Sequence, residues 1–106
     1  MSSSATIHGG TEASIVRRAL RLLRALDGCY AIRLHTGAYG TAGTPDVLAV
    51  YHGRAALIEF KRVGRHPTPQ QRVQMQRWAA AGARVAVCYH AEEAVALVRD
   101  GLEGEA

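Results

Sequence analysis

Apolar residues recur at helical spacing from Thr11 onward, in Ile15, Val16, Ala19, Leu20, Leu22, Leu23 and Leu26. This is the stripe of an amphipathic helix. Arg17, Arg18, Arg21 and Arg24 occupy its other face, and Gly28 offers a stop just past the last turn. Tyr30 to His35 alternates as a strand does, and the Gly/Pro content of 36–45 marks a loop. Asp46 to Tyr51 and Ala55 to Lys61 are two apolar strands joined by a tight turn at His52-Gly53. A polar link over 62–67 leads into a second helix. Thr68 can cap it, Pro69 suits its first turn, and Gln71 completes a T-x-x-Q capping box. That helix runs to about Ala81, and Gly82 ends it. Arg84 to Tyr89 is a fourth strand and Ala91 to Arg99 a last short helix. The order α-β-β-β-α-β-α predicts an α/β fold, a mixed sheet with helices packed against it. A single domain is expected over 11–100, with a disordered Ser/Gly-rich tail over 1–10 and a flexible tail over 101–106.

Composition narrows the class. A chain of 106 residues, 48% hydrophobic, can bury a core without disulfides or structural metal. No apolar run approaches the ~20 residues of a membrane helix, because Arg21 and Arg24 interrupt the best candidate. The opening residues lack the basic and apolar regions of a secretory signal. Cys29 and Cys88 stand far apart and form no CxxC pair, so they are expected to be reduced, buried thiols in a cytoplasmic protein.

Charge is more informative in its distribution than in its sum of +4. Between Gly28 and Ala91 only two acids occur, Asp46 and Glu59, against eight basic residues: Arg33, Arg54, Lys61, Arg62, Arg65, Arg72, Arg77 and Arg84. A basic middle suits a polyanion such as nucleic acid, although an arginine-rich solvated surface has the same composition. Lys61 is the only lysine beside twelve arginines.

The hairpin gives these few groups a geometry. With a two-residue turn at His52-Gly53, Tyr51 faces Arg54 and the register places Asp46 opposite Glu59, on one face of the sheet. Two carboxylates so placed repel unless a cation or a shared proton intervenes. Lys61 joins that face by the period of two. Hard divalent cations bind such oxygen clusters, and Mg²⁺ commonly takes one or two carboxylates together with waters and phosphate oxygens. An ordinary Lys61–carboxylate salt bridge is the alternative. Glu12 lies in the apolar stripe with Val16, Ala19 and Leu23, so it either points toward the sheet or complements the helix dipole in the first turn. Gln71 shares a face with Met75 and Trp78 and can close the capping box or reach the cation's water.

Other motifs are absent. Gly37, Gly40 and Gly43 lack the lysine of a phosphate-binding loop and the spacing of a dinucleotide fingerprint; they are expected to shape a turn or let backbone approach a ligand. The five histidines show no zinc spacing, and no G-x-S-x-G nucleophile occurs.

Glu12 on an opening helix, then Gly43-Thr44-Pro45-Asp46, Glu59-Phe60-Lys61 and Thr68-Pro69-Gln70-Gln71, together resemble the VRR-NUC branch of the PD-(D/E)XK nucleases over roughly residues 12–98. The resemblance implies a restriction-endonuclease-like αβββαβ core and a metal-dependent phosphodiesterase. Asp46, Glu59 and the Phe60 carbonyl would ligate Mg²⁺ or Mn²⁺, and Lys61 would act on the attacking water. Glu12 and Gln71 would support the site, while Arg62, Arg65, Arg72 and Tyr39 would contact nucleic acid. Small stand-alone members, mainly bacterial or phage, include dimeric endonucleases that resolve four-way DNA junctions, so the implied partners are branched DNA and a second copy. A non-cleaving DNA-binding module and a partner-dependent nuclease subunit are the competing readings.

Overall fold

The computed structural model describes residues 10–34 and 40–101. Helix α1 spans Glu12–Arg24, β1 Cys29–Arg33, β2 Val47–Tyr51, β3 Arg54–Phe60, α2 Pro69–Ala80, β4 Arg84–Cys88 and α3 Ala91–Ala96, which passes into a π-helical turn over Leu97–Gly101. The predicted element order is therefore present, with strand ends one or two residues shorter than the alternation suggested. The last helix departs most: regular α geometry stops at Ala96, not Arg99. The stretches 1–9 and 102–106 lie outside the described residues, and with them most of the two expected tails.

Each element starts where its sequence supplies a device for starting. The Thr11 hydroxyl accepts the Ser14 N–H and caps α1, satisfying one of the donors a helix start leaves open. Helix α2 has the complete capping box: Thr68 accepts from the Gln71 N–H, and the Gln71 amide oxygen accepts from the Thr68 N–H. Between β2 and β3, His52 (φ 48°) and Gly53 (φ 84°) both take left-handed backbone. This is the turn whose twist matches a two-residue hairpin.

The sheet order is β1-β2-β3-β4. The first three strands form an antiparallel meander, and β4 lies parallel to β3, a connection that requires the α2 crossover. The register pairs Tyr51 with Arg54 and Val47 with Ile58, as the two-residue turn predicts. One face carries Ala31, Val47, Ala49, Ala56, Ile58, Phe60 and Cys88, packed against Val16, Ala19 and Leu23 of α1 and Ala94 of α3. Helix α2 lies against β4 on the opposite side and has no fully buried residue. Its cover does not extend to the β1–β2 half of that face, where Tyr30 is 72% exposed and Ile32, Leu48 and Val50 are half-buried.

Cys29 and Cys88 are both free thiols. Cys88 is buried, and burial pushes its thiol up to about 12. Cys29 is only half-buried, which corrects the expectation for it, because β1 is an edge strand. No helix among the described residues is long and apolar enough to cross a membrane.

Candidate active site

The ends of α1, β2, β3 and α2 that carry the sequence motifs meet at one edge of the sheet. Glu59 is the next-to-last residue of β3, is 3% exposed, and is the only buried charged residue among those described. Its Oε2 accepts a hydrogen bond from Gln71 Nε2 at 2.8 Å and lies 3.7 Å from Lys61 Nζ. Its Oε1 is buried without a hydrogen-bond partner. Removal from water, then repulsion from Asp46, raise the Glu59 carboxyl to about 7. The nearby Lys61 ammonium opposes that rise only in part.

Asp46 stands where the register projects it, yet it is not a strand residue. The β2–β3 ladder ends at Val47–Ile58, which corrects the prediction of a strand beginning at Asp46. Freed from the ladder, its carboxylate turns to the neighbouring strand end, and Oδ2 accepts the Phe60 N–H at 2.8 Å. The preceding Pro45, itself buried, removes a main-chain donor and holds the chain extended on entry. Desolvation raises the Asp46 carboxyl, with the Phe60 N–H and Arg33 pulling the other way.

Glu12 resolves in favour of the inward orientation. It is half-buried, its Oε2 accepts the Arg62 N–H at 3.3 Å, and its charge acts unfavourably on both Asp46 and Glu59. Gln71 performs both of its alternative roles at once. Its amide oxygen closes the capping box while its amide nitrogen holds Glu59. The sequence presented these as alternatives because only the tertiary fold brings the start of α2 over the end of β3.

Gly43 was not legible as part of this site. It has φ +83°, and a Cβ there would stand 2.5 Å from the Gln70 carbonyl oxygen. The close approach is to the first turn of α2, not to a ligand. The glycine thus lets the 40s loop, which delivers Asp46, pack directly against the helix that delivers Gln71.

Arg62, Arg65 and Arg72 lie exposed on the segment running from Lys61 into α2, around the same edge. Tyr39 lies outside the described residues. Of the arginines on α1, Arg18 pairs with Glu92 of α3, and Arg24 Nε donates to the Ala31 carbonyl at 3.1 Å. These two are engaged in holding the domain together, in keeping with the solvated-face reading of that helix. Among the described residues no three carboxylate, imidazole or thiol side chains lie close enough to form a metal cage by themselves.

No family model matches the sequence, and no curated protein sequence does. Solved structures do match. One titled "VRR_NUC domain" superposes with a TM-score of 0.69 at 24% identity, covering 86% of this chain and 98% of the other. Another, titled "VRR_NUC domain protein", has a TM-score of 0.69 at 18% identity over 90% of each chain. The four-stranded mixed sheet, its three helices and these superpositions agree: this chain has the VRR_NUC domain fold.

Proposed function

We propose that this chain is a divalent-metal-dependent DNA endonuclease, with Asp46, Glu59 and the Phe60 carbonyl holding Mg²⁺ or Mn²⁺. The observation that carries the reading is the buried, unpartnered Oε1 of Glu59. A carboxylate oxygen removed from water and left without a donor is costly, and a hard cation is the partner that suits it. Two carboxylates and a carbonyl leave most of a Mg²⁺ shell to water and phosphate oxygens, its usual habit at phosphoryl sites. This accords with the lack of an all-side-chain cage. When bound, the cation supplies Lewis-acid charge that lowers the pKa of the attacking water and offsets charge building on the phosphate.

The chain's own groups have separable tasks. Gln71 fixes the Glu59 carboxylate by donating to Oε2, leaving Oε1 as the open position. The Phe60 N–H fixes Asp46 in the same way. The Lys61 ammonium, mostly withdrawn from solvent and 3.7 Å from Glu59, is placed to hold the attacking water or stabilise a phosphate oxygen. Glu12 accepts the Arg62 amide and orients the turn that leads out of the site. Arg62, Arg65 and Arg72 supply phosphate contacts, which position a strand without reading its sequence.

The substrate class proposed is branched DNA, cut by a homodimer, since two sites related by a two-fold axis address both strands of a symmetric junction. The bare apolar half-face of Tyr30, Ile32, Leu48 and Val50 supports a second copy as partner. The test is a panel of end-labelled junction, flap, nicked and single-stranded DNA with Mg²⁺, Mn²⁺ or chelator. Cleavage is expected only with divalent cation, and is abolished in Asp46→Asn and Lys61→Ala proteins that remain folded. Undiminished cutting in excess chelator would overturn the proposal, and light scattering at a single-chain mass would overturn its dimeric part.

A further inference from the structure

A groove of about 580 Å³ lies at the end of α2 remote from the candidate active site, lined by Arg54, Ala55, Trp78, Ala81, Ala83 and Arg84. Its size falls in the ~300–1,000 Å³ range of small-ligand clefts. No acidic residue lines it. Trp78 is 37% exposed and sits on a helix that contributes no fully buried residue, so the core does not account for it. We infer that this groove is a second nucleic-acid contact, in which Trp78 stacks on an unpaired base while Arg54 and Arg84 supply positive charge to the strand. The inference rests on the nuclease reading and names a feature of its substrate: an unpaired stretch beside the cut.

The placement fits that task. Gln71 and Trp78 are seven residues apart and share one face of α2, with a rise of ~10 Å between them. The amide that holds Glu59 and the indole in the groove therefore occupy two ends of one stripe. That span corresponds to about three nucleotides at the ~3.4 Å stacked rise. A positive groove with an aromatic platform is how proteins hold single strands irrespective of sequence, since every base has a π-face. Perfect duplex keeps its bases stacked inside and offers the indole none.

Trp78 is the only tryptophan of the chain, so intrinsic fluorescence reports this groove alone. The full chain is titrated in chelator with a short oligothymidylate carrying an end label, reading both tryptophan emission and label anisotropy. Saturable quenching is expected. Trp78→Ala should weaken binding about tenfold and Trp78→Phe much less, with circular dichroism confirming that both fold. Blunt duplex should bind with little quenching. Arg54→Gln should reduce the slope of binding against salt by about one. Oligonucleotide binding without quenching, or equal affinity in Trp78→Ala, overturns the inference and leaves the nuclease reading standing. Emission that changes with protein concentration alone also overturns it, since a second copy would then cover the groove. If the label shows no binding at all the inference falls, and the divalent cleavage panel decides separately whether the nuclease reading falls with it.

Discussion

Replacing Glu59 by glutamine should make the protein more stable at alkaline pH, in the absence of divalent cation, relative to its behaviour in acid. The Glu59 carboxyl rises from an ordinary 4.5 to about 7 in the folded state. The native protein therefore binds this proton more tightly than the unfolded chain does. Between about pH 4.5 and 7 the native state carries more of it, so unfolding free energy falls as pH rises. Each unit of difference is worth ~1.36 kcal/mol, and the whole window about 3 kcal/mol, complete near pH 8. Below pH 4.5 both states are protonated and the group contributes nothing to the slope. At 3% exposure the side chain receives little solvent screening. Glutamine has no proton to lose, so its profile lacks this decline. Any fixed offset from its altered hydrogen bonds or the lost Lys61 pairing cancels when the two profiles are subtracted. Relief of the repulsion on Asp46 adds to the same sign. The assay is urea unfolding of both proteins from pH 4.5 to 8 in chelator. A double difference of about 3 kcal/mol is expected, or more than ~10 °C in Tm for a domain of this size. Parallel profiles within about 0.5 kcal/mol would refute the argument, and with it the claim that Glu59 is a strained, uncompensated charge.

Divalent cation should reverse that penalty: Mg²⁺ at 100 times its Kd stabilises by about 2.7 kcal/mol, more at pH 8 than at pH 5, and thermal melts of Glu59→Gln should show none of the gain. Asp46→Ala should cost about 1–3 kcal/mol by leaving the Phe60 N–H without its acceptor; Asp46→Asn, whose amide oxygen can still accept, should cost less in the same denaturation series while losing the cation response. Gly43→Ala should destabilise by more than about 1 kcal/mol, since it sets a Cβ 2.5 Å from the Gln70 carbonyl on left-handed backbone; an unchanged urea midpoint would show that the loop does not pack on α2 as described. Leu23→Ala, at a fully buried contact between α1 and the sheet, should cost about 2–5 kcal/mol by calorimetry.

Local physics made much of this molecule readable before any coordinates. The α1 stripe, the Thr68–Gln71 box and the His52-Gly53 turn are each decided within a few residues, by side-chain spacing, cap hydrogen bonds and backbone sterics. Because the turn fixes hairpin register, even the proximity of Asp46 and Glu59 followed from counting, and Lys61 followed from the alternation of a strand. The details that failed were those where an element ends. Asp46 left the ladder because its carboxylate gains a main-chain donor, and the last helix changed its winding after Ala96.

Other properties depend on which elements become neighbours, and no local rule carries that. Gln71 could be assigned a cap or a site role in the sequence, and only the parallel pairing of β4 with β3, which draws α2 across the strand end, makes it serve both. The same crossover requires a glycine at position 43, where two backbones meet that are far apart along the chain. It also buries Glu59 with one oxygen left over. Residue types and short-range spacing specified the elements and the candidate groups. The tertiary packing set the dielectric around those groups and their distances, and so decided which carboxylate pays the cost of burial.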